Sequence, residues 1–395
     1  SWRENGEKKT EVVEFNPYFY IRQDHPEVAE YKPSVYTERP FKYENTDAVT
    51  LDGHALKKVF VDKSEDIREA KKRFSETWEA DVPFHFRYCV DELTELPEYK
   101  LRKWYWDMEW QQGGKYHDCI TTIVVYDNYD EEYYQWVWFP DAPSHLHWKQ
   151  SDKIAVFNSE KEMIESFMTT MIVKDPDMLI AWFGNFADIP KLLERACAVG
   201  LNPSIISPIG FVKGIKKKKD EYTFAYAEKG FSPIEQPIGG RICLSLDLAF
   251  ERQWNDSQRG TLPSLSLDYI GEIVLGKKKL VSEKFPDTNE FYRRAWLEDT
   301  QTYLDYAIKD VELIVEIDET NFCSEAILSL QRLLKAPFDA CFYASHMGSI
   351  YFMRNAEWKA PTGNKNEERR EYDGAMIYDP LSEGTNGLHL NVAAF

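Results

Sequence analysis

"KIAVFNSEKEMIESFMTTMIVKDPDMLIAWFGNFADIPKLLERACAVG", residues 153–200, decides how this chain is read. "KIAVF" and "DMLIAWFG" are short apolar runs of strand length. Between them, Ile164, Phe167, Met168 and Met171 recur at helical spacing behind an S-x-x-E capping box of Ser159 and Glu162. "DIPKLLERACAVG" is a second helix, stopped at Gly200. Strand, helix, strand, helix is the pattern of an α/β layer.

Working outward, "RKWYWDMEW", "HDCITTIVVYD" and "EEYYQWVWF" lie upstream, rich in aromatic and β-branched residues and joined by short polar turns. They predict an antiparallel meander that opens the sheet. "EVVEFNPYFYI" and "KKVFVD" predict strands of a small mixed domain, and "SEDIREAKKRFSETW" a helix capped by Ser64. Downstream, "FVKGIKKKKDEYTFAYAEKG" predicts a hairpin with a basic tip and "GRICLSLDLAF" a returning strand. "SLSLDYIGEIVLG" and "TYLDYAIKDVELIVEIDETNF" predict helices, with further helix over 324–358.

Composition narrows the classes. A chain of 395 residues with 43% hydrophobic content folds as two or three globular domains. Its formal charge of −19 argues against loose adhesion to nucleic acid or anionic lipid, although local lysines or bound metal can set the field at a site. The six scattered cysteines form no C-x-x-C and read as reduced thiols. No apolar run approaches the roughly 20 residues of a membrane span. A soluble, cytoplasmic protein with no membrane partner is expected. No P-loop and no serine-nucleophile elbow occur, and the histidines of "SHLHW" read as a polar loop.

The chemistry concentrates in carboxylates. Asp107 and Glu109 sit one residue apart on the first predicted strand, so they share a face. Asp188 follows the strand "LIAWF" at a helix entry, and Tyr306 and Asp310 project from one side of the long helix. Taken singly, these read as a solvated strand face, a helix cap and a chance pair. Together, acids from two strand ends and a helix suit hard divalent cations. Paired ions about 4 Å apart can activate water on a phosphodiester, and the tyrosine can orient that water.

In order and context, the set resembles the three exonuclease motifs of family B DNA polymerases: "WDMEW", "AWFGNFAD" and "YAIKD". "EFNPYFYI", "LPSLSLDYIGEIVLG" and "EYDGAMIYDP" are similar to flanking segments of that family, so the resemblance covers nearly the whole chain. It implies an α/β fold: a ribonuclease H-like exonuclease domain with a mixed five-stranded sheet, plus a smaller α+β N-terminal domain. The implied boundaries are 1–98 for the N-terminal domain and 99–322 for the exonuclease. A helical segment, 323–360, would return to the N-terminal domain, and 361–395 would be a linker and truncated palm start. It implies 3′→5′ proofreading hydrolysis with two Mg²⁺ or Mn²⁺ ions on Asp107, Glu109, Asp188 and Asp310, and Tyr306 positioning water. Trp110, Phe183, Asn185, Tyr372, Gly374, Lys216 and Lys217 would contact DNA, and the "KKK" of Lys277–Lys279 is a further candidate phosphate contact or a solvated loop.

Departures from the family pattern are expected to bear on strand-end recognition. Phe183 and Ala187 stand where the family carries Asn and Phe, and Trp110 where it carries Thr. Trp110 would either stack on a base or pack. The chain ends before the family's first palm motif, so polymerisation is expected to need a polymerase C-terminal half, in cis or in trans, with a sliding clamp as a further candidate partner. The alternative expectation is a weak nuclease that mainly grips DNA and docks such a half.

Overall fold

A computed structural model describes residues 2–4, 7–32, 38–96, 99–140, 151–226, 228–256 and 260–355. Tyr372, Gly374, the "SHLHW" histidines and the predicted palm start lie outside these residues.

The chain divides into two compact units. The smaller, Asn16–Asp81, holds a three-stranded antiparallel sheet of Tyr18–Arg22, Ala55–Phe60 and Lys42–Val49, with Ala55–Phe60 central. Phe19, Ile21, Phe41, Val59 and Phe74 form its core. Residues 64–73 are not the single capped helix expected. A 3₁₀ turn (Ser64–Asp66), one α turn (Ile67–Ala70) and a second 3₁₀ turn (Lys71–Arg73) run in series, with Lys63 rather than Ser64 at the N-cap. The helix stops because Phe74 must turn extended to bring its ring 5.7 Å from Phe19 and 5.3 Å from Phe41. The N-terminal residues to Phe15, and Val82 onward, group with the larger unit, as does the helical stretch after 322. The compact units thus divide at residue 82 rather than 98, and the helical stretch after 322 packs on residues 84–91, which the expected boundary placed in the N-terminal domain: Arg354 donates to the Cys89 carbonyl at 2.6 Å.

The larger unit is built on six strands: β1 (Lys103–Trp110), β2 (Ile120–Asp127), β3 (Glu132–Trp138), β4 (Ile154–Phe157), β5 (Met178–Ala181) and β6 (Ile242–Ser245). Their spatial order is β4-β3-β2-β1-β5-β6, one strand more than the five expected, and β2 alone runs antiparallel to its neighbours. The first three form the expected meander. "GRICLSLDLAF" is strand only to Ser245; Leu246–Asp256 is helix, with Leu246, Ala249 and Phe250 buried at helical spacing.

Alternation along β1 divides the core. Trp104, Trp106 and Met108 enter one cluster with Phe167 of helix α1 (Glu160–Lys174) and Leu192 of helix α2 (Asp188–Ala198). The Ser159 hydroxyl accepts the Glu162 amide at 3.2 Å, so the predicted cap forms. Tyr105 points the other way, into a cluster with Val311 and Ile314 of the long helix α3 (Thr300–Asn321). Asp107 and Glu109 share the face of Tyr105 and therefore look toward α3. Among the described residues no helix is long and apolar enough to cross a membrane.

Candidate active site

Strand β1 and helix α3 run antiparallel across this face. Tyr105 donates its hydroxyl to Asp318 at 2.7 Å, and nearer the strand's C-terminal end Asp107 and Glu109 meet Asp310. Asp107, Glu109 and Asp310 each offer a carboxylate oxygen, all within 4.8 Å of one another. A bulge fixes the end of the strand. Glu109 pairs with Thr122 and Trp110 with Ile120, leaving Thr121 as the extra residue. The Thr121 hydroxyl donates to the Glu109 carbonyl at 3.0 Å and bonds the Tyr303 hydroxyl at 2.7 Å, which ties the acid-bearing strand to α3.

Asp188 occupies the first turn of α2, 3% exposed. It lies outside the tight trio, but its charge acts on Glu109, and Asp107 acts on it. The turn leading to it, residues 182–187, is held from behind: the Phe183 amide donates to Asp247 at 2.9 Å and the Asn185 amide to the Ser245 hydroxyl at 3.2 Å. Gly184 is required there, because an added Cβ would lie 2.6 Å from that of Ala181.

Burial, followed by repulsion from Asp310, pushes the Asp107 carboxyl up to about 7. Burial and neighbouring acids also push Glu109 and Asp188 well above the usual carboxylate range. Asp310 moves up by burial and is partly restrained by Lys279, whose ammonium lies 2.6 Å from Asp310 Oδ2 and 3.1 Å from the Tyr306 hydroxyl.

Other buried acids in the same unit are served by protein donors. Asp127 accepts from Arg102 at 2.9 Å and from the Trp104 indole at 2.8 Å. Asp318 accepts the Ser324 amide at 2.8 Å besides the Tyr105 hydroxyl. In the trio, Lys279 serves Asp310 Oδ2, and among the described residues Asp310 Oδ1 is buried without a hydrogen-bond partner. A buried anionic oxygen left open in this way fits a hard divalent cation. Asp107, Glu109 and Asp310, with Asp188 beside them, are the residues that could hold one or two.

The other expected site residues are placed as follows. Tyr306 lies beside Asp310, its hydroxyl also 2.9 Å from that of Tyr292. Trp110 packs partly buried against the core, with the Lys191 ammonium 5.7 Å from its ring. Phe183 is half-exposed at φ 57° and Phe186 is 66% exposed, so the turn presents two aromatic rings to solvent. Asn185 does not face solvent. It is 1% exposed, and its side-chain amide donates to the carbonyls of Ser232, Pro233 and Glu235 at 2.8–3.1 Å. Its expected DNA contact is replaced by a structural one. Asn185→Ala leaves those carbonyls short of a donor and should cost about 2–3 kcal/mol of stability, read by chemical denaturation. Lys216 and Lys217 lie on the expected hairpin (Ile215–Lys218 with Glu221–Phe224) and form no ion pair among the described residues.

Lys279 was missed as a site residue. The run "KKK" suggested phosphate contacts, but Lys277 pairs with Glu316 at 2.5 Å, Lys278 with Glu272 at 3.0 Å, and Lys279 enters the acid cluster. No local pattern marks a lysine whose partner lies 31 residues away.

Residues 139–230 match the family model for the exonuclease domain of DNA polymerase family B, a range that contains Asp188 but none of the trio. The chain is 24% identical over 408 residues to a DNA polymerase of Pyrococcus glycovorans, covering 94% of this chain and 46% of that protein. It is 26% identical over 353 residues to one of Thermococcus litoralis, covering 83% and 19%. It is 25% identical over 413 residues to DNA polymerase 1 of Pyrococcus abyssi, covering 96% and 48%. The chain thus spans less than half the length of these relatives.

Proposed function

We propose that this chain carries the exonuclease segment of a family B DNA polymerase, hydrolyses DNA from the 3′ end and serves proofreading. The observation that carries this reading is the trio of carboxylates within 4.8 Å, with a buried Asp310 oxygen that no donor among the described residues serves. The strand order around β1, with β2 alone reversed, supports a ribonuclease H-like arrangement with β4 added at one edge.

Two Mg²⁺ or Mn²⁺ ions, when bound, supply a nucleophile at neutral pH and stabilise the departing oxygen. The chain's own residues do the rest. Asp107, Glu109 and Asp310 hold the ions, and Asp188 adds negative charge from the helix entry. Tyr306 fixes the direction of the attacking water. One water adds to the terminal phosphodiester, the bond from phosphorus to the 3′ oxygen of the remaining strand breaks, and that oxygen takes a proton. The products are a nucleoside 5′-monophosphate and a strand one residue shorter. Phe183, Phe186 and Trp110 are suited to stacking on unpaired bases, and Lys216 and Lys217 to meeting phosphates.

A 3′-labelled single strand incubated with the chain and Mg²⁺ should release labelled mononucleotide first, whereas a 5′ label should appear in a ladder of shortening strands. Tyr306→Phe should slow release about a hundredfold without weakening Mn²⁺ binding measured by calorimetry. Release that is unaffected by chelation would end the reading.

A second reading, a module that grips DNA without cleaving it, is favoured by the Lys279–Asp310 pair, which occupies an oxygen a cation would use. Calorimetry separates the two, since a gripping module should take up no Mn²⁺.

A further inference from the structure

Tyr306 is not the only phenol at the site. Tyr292 lies in a π-helical turn, Phe291–Ala295, and its hydroxyl is 2.9 Å from that of Tyr306. The two rings meet edge to face, 6.1 Å apart at 86°. π turns interrupt the regular helical ladder and are frequent at functional sites. Here the turn is braced from the catalytic strand: the buried Gln111, two residues beyond Glu109, donates its side-chain amide to the Tyr292 carbonyl at 3.0 Å. Phe291 closes the other side, its ring 5.1 Å from Tyr306 and 5.7 Å from Tyr303.

The hydrogen bonds around Tyr306 can be counted. A phenolic hydroxyl has one proton and two lone pairs. Lys279 can only donate, and its ammonium, 3.1 Å away, takes one lone pair. If Tyr306 gave its proton to Tyr292, it would have none left to direct at a water near the carboxylates. If Tyr292 donates instead, both lone pairs are filled and the Tyr306 proton has one direction left, toward the acid trio. Among the described residues the Tyr292 hydroxyl has no other hydrogen-bond partner, so its proton is available for this purpose.

We propose that Tyr292 is a positioning residue, donating to the Tyr306 hydroxyl and thereby fixing the proton that orients the attacking water. It touches neither substrate nor metal and acts only through Tyr306. The inference rests on the nuclease reading of the site.

Tyr292→Phe keeps the ring and removes only the hydroxyl, so it tests the point without disturbing the packing. With the full chain, a 3′-labelled single strand and saturating Mn²⁺, kcat should fall about tenfold at unchanged KM. Tyr292→Phe added to Tyr306→Phe should bring no further loss, because the second residue works through the first. A readout independent of turnover is the ¹³Cζ resonance of Tyr306 in the metal-free protein, assigned by its disappearance in Tyr306→Phe. It should move when the Tyr292 hydroxyl is removed. A kcat equal to or above the parent's, losses that multiply in the double variant, or an unmoved resonance overturns the role of Tyr292. A parent chain with no metal-dependent cleavage overturns the nuclease reading itself.

Discussion

In Mg²⁺, the Asp107→Asn, Glu109→Gln double variant degrades a 3′-labelled single strand at least about 10³-fold more slowly than the parent chain. The amides keep the shape of the side chains and remove two of the three charges that converge within 4.8 Å. What remains is Asp310, already matched by Lys279 at 2.6 Å, a neutral pair with little attraction for a divalent ion. The same change should act on stability in the opposite direction. Glu109 is buried and Asp107 half-buried among like charges, so neutralising them relieves repulsion and desolvation in the metal-free fold. Loss of cleavage with a raised melting temperature separates a ligand role from a general folding defect. Cleavage at the parent rate would remove these residues from the site.

The second large effect joins pH and metal. The Asp107 carboxyl is raised to about 7 in the folded chain, against roughly 3.9 when unfolded. Between those values the folded state binds more protons than the unfolded state, so stability falls as pH rises through this window and levels off above it. Glu109, Asp188 and Asp310 shift in the same direction, as does the buried Asp247, raised to about 6. Paired acids such as Asp130 and Asp339 are lowered, so their opposite contribution lies below about pH 4 and leaves the window clear. Metal-free protein should therefore melt at a lower temperature at pH 8 than at pH 5. Mn²⁺ reverses the trend, because it binds the deprotonated carboxylates. At a hundredfold excess over Kd it adds about 3 kcal/mol at pH 8 and far less at pH 5. The Asp107→Asn, Glu109→Gln variant should show a shallower pH slope and no Mn²⁺ shift. Melting curves at the two pH values, with and without Mn²⁺, read both signs. An Mn²⁺ shift as large at pH 5 as at pH 8 would rule out these acids as ligands.

How much of this was legible depended on whether the information was local. The alternation of Trp104, Trp106 and Met108 against Tyr105, Asp107 and Glu109 marked both the strand and its acidic face, since period two is a local property. Likewise α3 was visible from its apolar spacing, and Tyr306 with Asp310 followed from it. Asn185 was misread because its partners, the carbonyls of 232–235, are some 47 to 50 residues away, and nothing beside it in the chain shows that it is enclosed. Lys279 was read as part of a basic run for the same reason. The strand ending at Ser245 was overextended because a half-buried helix and a strand both begin with apolar residues, and the turn is set by the contacts of Ser245 and Asp247 with the 182–187 segment.

The separation of the acids along the chain also dictates when the site can come into being. Asp107 and Asp310 are drawn from opposite ends of the larger unit, and Asp188 from between them. Bringing such distant residues together costs more loop-closure entropy than forming local helices or the first hairpin. The mutually repelling carboxylates can meet only once the chain through α3 is present. A fragment that stops short of α3 has no ion-binding cleft to present.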